Sequence, residues 1–197
     1  PTRNMTVDAA MSEDELLDAI NIGAAAVNDC SADVIYFGEM GIGNTTTAAA
    51  IAAAIFGGEG ASWAGPGTGL EKAGVAHKAS VINRALALHR SELSNPVEIM
   101  RRLGGRELAA IMGGVVAARL KRLPVILDGF VVTAAVAPLC VSADQRIKRD
   151  VLAHCIAGHC SAEPGHIRLL EELGLKPLLT LDMRLGEGTG AALAAEL

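Results

Sequence analysis

Two glutamates sit in turns of similar plan. Glu39 lies in "FGEMGIGNTTTAAA" and Glu187 in "RLGEGTGAALAA". Each turn reads Gly-Glu, spaced glycines, threonine, then an alanine-rich run. A carboxylate so placed suits a general base, or a negative charge beside a developing cation. The glycines suggest a second chemistry. Gly41, Gly43 and Asn44 can present backbone N–H groups, and Thr45 or Thr46 can cap the following helix, so the first turn is equipped to hold phosphate. A triphosphate loop is excluded, because no Gly-Lys-Thr follows. The dinucleotide fingerprint is weak, because Thr46 stands where its third glycine belongs. The plainer alternative is a tight strand–helix turn, with Glu39 a partner of the helix dipole. Yet a carboxylate repels phosphate, and binding sugar hydroxyls would give Glu39 a reason to be there.

Other candidates are scattered. Asp128, directly after "PVIL", either contacts a substrate or caps the following helix. "HCIAGHCSAEPGH" carries His154, Cys155, His159, Cys160 and His166 without a zinc spacing. Buried strand cysteines account for it more simply. Ser161, ahead of Pro164 and Gly165, can donate to an anion. Lys78 and His77 share a long helical stretch, where a solvated surface lysine is the plainer reading.

The elements that must position these residues follow from periodicity and punctuation. "MSEDELLDAINIGAAAVNDC" opens with a capping box, Ser12 and Glu15. Four apolar runs read as strands: "DVIYFG", "PVILDG", "VLAHCIAGH" and "KPLLTLDMRL". Helices alternate with them. One is "LEKAGVAHKASVINRALALHR", with Leu70, Val81, Leu86 and Leu88 expected to supply its apolar contacts. "NPVEIMRRLGG" and "RELAAIMGGVVAARLKRL" are two more, split at Gly104 and Gly105. The alternation predicts an α/β fold: a mostly parallel sheet with helices on both faces, three-layered and Rossmann-like, plus additional helices, in one domain over residues 1–197. Both Gly-Glu turns then fall at the C-terminal ends of parallel strands, where open α/β sheets bind ligands.

Composition narrows the class. The 197 residues are 51% hydrophobic but only 3% aromatic, so small side chains must carry a closely packed core. Net charge is −5 and no long basic run occurs, which argues against a nucleic-acid groove. The four cysteines form no CxxC pair and read as reduced thiols of a cytoplasmic protein. "PVILDGFVVTAAVAPLCV" has the length of a membrane span. Asp128, Gly129 and its prolines make it a strand, a turn and a helix instead, so no membrane contact is expected.

Taken together, "GEMGIGNTT", "GPGTGL" with a downstream lysine, "LGGRELAA", "LPVILDGFVVTAA", "HCSAEPGH" and "RLGEGTGAALA" resemble the nicotinate-nucleotide–dimethylbenzimidazole phosphoribosyltransferase family, in family order and over nearly the whole chain. The resemblance implies transfer of phosphoribosyl from nicotinate mononucleotide to 5,6-dimethylbenzimidazole, giving α-ribazole 5′-phosphate and nicotinate. It implies a homodimer and neither metal nor organic cofactor. It implies that the chain corresponds to the central and C-terminal part of the family pattern, without the family's N-terminal segment. By the same resemblance, Glu187 matches the catalytic base, and Glu39, Gly41, Gly43, Asn44 and Thr45 fall in the nucleotide-binding loop. Lys78 and Ser161 match positions that contact the phosphoribosyl group or its phosphate, which reverses the surface reading of Lys78. Asp128, Gly186 and Gly188 complete the expected substrate site. Two other readings stay open: a non-catalytic nucleotide-binding or dimerisation remnant, and a dinucleotide-dependent oxidoreductase.

Overall fold

The structure is a computed structural model that describes residues 1–67, 69–141 and 150–197; Thr68 of the "GPGTGL" turn lies outside them. In chain order the described elements are α1 (Glu13–Asn28), β1 (Ile35–Tyr36), α2 (Asn44–Phe56), α3 (Lys72–His89), α4 (Pro96–Leu103), α5 (Arg106–Lys121), β2 (Val125–Leu127), α6 (Phe130–Val136), β3 (Cys155–Cys160), α7 (Pro164–Leu173), β4 (Pro177–Thr180) and α8 (Thr189–Ala194). Helix α1 begins on the capping box legible in the sequence. Ser12 Oγ accepts from the Glu15 N–H at 3.1 Å, and the Glu15 carboxylate accepts from the Ser12 N–H at 2.8 Å.

The four strands are all parallel and lie in the order β1-β2-β3-β4. A sequential order with right-handed crossovers stacks the connecting helices on one side of the sheet. Val125 and Leu127 face that side and the main core. Ile126, between them, faces the other side, where Ala191 and Ala194 of α8 cover it. The cover there is thinner. Tyr36 and Ile156, in register with Ile126, remain 45% and 43% exposed.

Helix α2 explains the small-residue composition. It sits among α3, α4 and α6, and Ala48 to Ala53 are all buried. A helix apolar on every side belongs inside, and alanine lets its neighbours approach closely. Helix α3, packed against it, departs from the expectation. Its buried face is Lys78, Ala79, Ile82, Ala85 and His89. Leu70 and Leu88 are exposed, and Val81 and Leu86 are only partly buried. Two polar residues hold the buried stripe because their tips find partners. His89 Nε2, for one, donates to the Met5 carbonyl at 2.9 Å. Hydrophobicity alone therefore selects the wrong face.

Residues 124–141 form β2, a turn, α6 and a short 3-10 turn, and among the described residues no helix is long and apolar enough to cross a membrane.

Candidate active site

At the rim where the strands end lies a cavity of about 250 Å³. Of the residues singled out in the sequence, Glu39, Gly41, Asn44, Thr45, Asp128, Ser161, Gly186 and Glu187 line it. Gly43, Lys78 and Gly188 are not among its lining residues. His159, Glu163 and Arg184 also line the cavity, and Phe130, Val131 and Val132 give it an apolar side.

The two Gly-Glu turns, far apart in sequence, are stitched together here. The Glu187 N–H donates to the Glu39 carbonyl at 3.2 Å. Gly38 lies so close beneath that a Cβ on it would sit 2.6 Å from the Glu187 carbonyl. The sequence echo is also a backbone echo. Both following helices start from an N-cap glycine in the left-handed region, Gly43 at φ 79°, ψ 0° and Gly188 at φ 79°, ψ 5°. Glycine adopts that conformation at no steric cost.

Glu39 turns back on its own loop. Its Oε2 accepts from the Gly41 N–H at 2.9 Å and from the Asn44 side-chain amide. The Gly41 N–H that the sequence offered to a phosphate is thus spent on a carboxylate already within reach, while at Asn44 the side-chain amide, not the backbone N–H, is engaged. Nor does a threonine cap α2, which has no side-chain cap. Thr45 Oγ1 instead accepts from Lys78 Nζ at 2.8 Å.

Lys78 is buried, not a surface residue. Its ammonium also donates to the Gly65 carbonyl at 2.9 Å. Burial pushes its pKa down and the nearby Glu163 carboxylate pulls it back up. Glu163 Oε1 in turn accepts from the Gly67 N–H at 2.6 Å, tying the glycine-rich turn to the start of α7. The lysine charge therefore stands directly behind two liners, Thr45 and Gly67. Lys78 is not itself a lining residue.

Glu187 has an exposed side chain. Leu185 beside it is 65% exposed, and Ala191 and Ala192 do not line the cavity. Leu185 lines the cavity beside Glu187, and the rest of the apolar side comes from Phe130, Val131 and Val132 of α6. Asp128 neither caps the helix after it nor lies free. Its oxygens accept from the Gly188 N–H at 3.2 Å and the Ala191 N–H at 2.9 Å.

Ser161 is set by a buried histidine. His166 Nδ1 accepts from the Ser161 N–H at 2.9 Å, so that nitrogen carries no proton. Nε2, with Thr133 Oγ1 at 3.1 Å, must hold it. Burial, aided by His159, pushes the His166 pKa down to about 3. Between that value and the ordinary 6.5 the unfolded chain binds the extra proton. Stability from this group is therefore full above pH 6.5 and is lost as pH falls toward 3. We expect it to contribute a loss of about 1–2 kcal/mol between pH 6.5 and 5. Urea unfolding across that range checks it: His166→Gln should lower the slope by about one proton, and an unchanged slope contradicts the assignment.

Two liners, Glu163 and Arg184, carry signals that sequence reasoning passed over, and a third, His159, was weighed there only as a metal ligand. His159 and Glu163 flank the end of β3, the same edge that made Glu39 and Glu187 candidates. Arg184 stands three residues before Glu187 in the same turn.

Comparison with known proteins gives the family and the fold. The family model for phosphoribosyltransferase, DBI_PRT, matches residues 1–197. The nicotinate-nucleotide–dimethylbenzimidazole phosphoribosyltransferase of Novosphingobium aromaticivorans is 54% identical over 100% of this chain and 56% of its own length. The enzyme of that name from Sinorhizobium fredii is 51% identical over 99% of this chain and 56% of its own. The crystal structure of CobT from Thermus thermophilus superposes with a TM-score of 0.90 at 41% identity, covering 99% of this chain and 58% of that one. The chain thus spans a little over half the length of these relatives, and it belongs to the DBI_PRT phosphoribosyltransferase family.

Proposed function

We propose that this chain carries the phosphoribosyl-transfer site of an enzyme that converts nicotinate mononucleotide and 5,6-dimethylbenzimidazole to α-ribazole 5′-phosphate and nicotinate, a step toward the lower ligand of cobalamin. The observation that carries the reading is the joining of the Glu39 and Glu187 turns on one cavity at the strand ends. Family membership supports it, and the names of the longer relatives supply the substrates.

The chemistry needs little from the protein beyond placement and one base. In nicotinate mononucleotide the leaving group is a pyridinium on the anomeric carbon. Its ring nitrogen keeps the bonding electron pair and loses its positive charge, so no general acid is required. A benzimidazole nitrogen forms the new bond to that carbon, and the proton on its other nitrogen passes to the Glu187 carboxylate. Glycoside hydrolysis, by contrast, divides acid and base work between two carboxylates. Glu39, held by its own loop, keeps a negative charge beside the ribose. There it binds hydroxyls or steadies oxocarbenium-like charge. The phosphate goes to the start of α2 at Thr45, with Arg184 exposed at the rim, Ser161 opposite and the Lys78 charge behind.

Small-molecule sites usually run to about 300–1,000 Å³. The cavity, at about 250 Å³, suits a sugar phosphate, and a neighbouring cavity of about 710 Å³ shares Glu39, Met40 and Gly41 with it. Phe37, Ile42 and Ile111 give that second cavity apolar walls for the base. The same reading makes the enzyme a cytoplasmic homodimer without metal or organic cofactor. The small cavity also favours, as a second reading, a nucleotide-binding remnant without turnover. Calorimetry with nicotinate mononucleotide followed by dimethylbenzimidazole, and chromatography for α-ribazole 5′-phosphate, separates the two. Product supports transfer. Nucleotide binding without product supports the remnant, and binding of neither compound overturns both.

A further inference from the structure

We propose that Asp128 is a positioning residue. Its buried carboxylate, at the end of β2, fixes the Glu187 turn on the cavity rim by accepting hydrogen bonds from the Gly188 and Ala191 N–H groups. The inference deepens the proposed function, since it rests on Glu187 being the base.

Three observations carry it. First, Asp128 is 2% exposed, and each of its oxygens is already engaged: Oδ2 with the Gly188 N–H at 3.2 Å, Oδ1 with the Ala191 N–H at 2.9 Å. Gly188 is the next residue after Glu187, and Ala191 lies in the first turn of α8. Second, α8 has no side-chain cap from its own segment. A helix start leaves N–H groups without partners and favours a negative charge. Asp128, sixty residues earlier in the chain, meets both needs. Third, the turn it holds is a costly one. Gly186, Glu187 and Gly188 all have positive φ, at 77°, 59° and 79°. A non-glycine residue in that region persists where the surroundings over-determine it. The other ties of this turn are local or run to the β1 loop: Thr189 N–H and Oγ to the Gly186 carbonyl, and Glu187 N–H to the Glu39 carbonyl. Asp128 is the tie to the interior of the sheet. Its remaining close neighbour, His159, lies 3.5 Å from Oδ1 and packs so tightly under α8 that a Cβ on Gly190 would overlap its ring. The carboxylate at the cavity wall thus reaches the chemistry through Glu187, and the substrate contact expected from its place after β2 is not needed to explain it.

The test is Asp128→Asn, which keeps the shape but sets an amide N–H against one of the two donors. Turnover should fall about 10- to 100-fold, as expected for a misplaced catalytic group, while nicotinate mononucleotide affinity stays within about twofold. In the Glu187→Gln background the same change should cost less than about twofold more, because the base it positions is already gone. A loss of nucleotide affinity of about tenfold with turnover unchanged would overturn the proposal and make Asp128 a substrate contact. Full additivity with Glu187→Gln would overturn it as well. If Asp128→Asn does not fold, Asp128→Ser, which is smaller than the native side chain and removes the carboxylate, replaces it, with the same outcomes expected. Hydrogen exchange keeps the test separate from the functional reading. If the wild type makes no product, lost protection at Gly188 and Ala191 in Asp128→Asn still establishes the anchor, and unchanged protection removes it.

Discussion

Glu187→Gln should lower turnover by at least about tenfold, and by as much as the 10²–10⁴-fold typical of a lost general base, while nucleotide affinity changes by less than about threefold. The glutamine keeps the length and shape of the side chain, and its amide oxygen still accepts hydrogen bonds. What it cannot do is take the proton that the attacking benzimidazole must lose. The fold should not notice. The Glu187 side chain is exposed, and the bond that ties its turn to Glu39 is made by the backbone. Surface changes of this kind stay within about 0.5 kcal/mol. Steady-state kinetics beside calorimetry separates the two effects. A drop in affinity with turnover intact would make Glu187 a binding residue and leave the base to be found elsewhere.

The second large effect is structural. Gly23→Ala should destabilise the protein by about 2–4 kcal/mol, although glycine-to-alanine in a helix interior ordinarily gains about 1 kcal/mol. Helices α1 and α5 approach through glycine on both sides. A Cβ on Gly23 would lie 1.8 Å from the Ala110 carbonyl oxygen, and one on Gly113 would lie 2.2 Å from that of Ile20. A flexible side chain could swing away; a helical carbonyl cannot. The helices must separate, and interiors packed to crystal density lose contacts along the whole face when they do. The clash therefore outweighs the propensity gain. Denaturation midpoints in urea measure it, and a midpoint at or above the wild-type value would contradict the packing described.

What the sequence disclosed, and what it hid, divides along physical lines. The start of α1 was legible because the Ser12–Glu15 box is completed within four residues. The strands were legible as short apolar runs, and the paired Gly-Glu turns proved to share a backbone conformation as well as a spelling. The buried face of α3 was not legible. Lys78 and His89 are buried because Thr45, Gly65 and Met5 answer their polar tips, and those partners lie far off in the chain. Asp128 was recognisable as a strand-end acid, but its partner helix begins about sixty residues later, beyond any local rule. Glu39 shows the same limit in reverse. Its loop reads as a phosphate cradle until the carboxylate is seen to take the Gly41 N–H and the Asn44 side-chain amide. Patterns closed within one turn of chain can be read from letters. Those closed by tertiary contact need coordinates.

The central claim is that a single sugar phosphate lies between two glutamate turns at one rim of the sheet. A crystal structure with nicotinate mononucleotide bound tests it most directly. The account predicts the ribose between the Glu39 and Glu187 carboxylates, with the phosphate at the start of α2 beside Thr45. A nucleotide seated elsewhere on the molecule, or a ribose in contact with neither carboxylate, would contradict it.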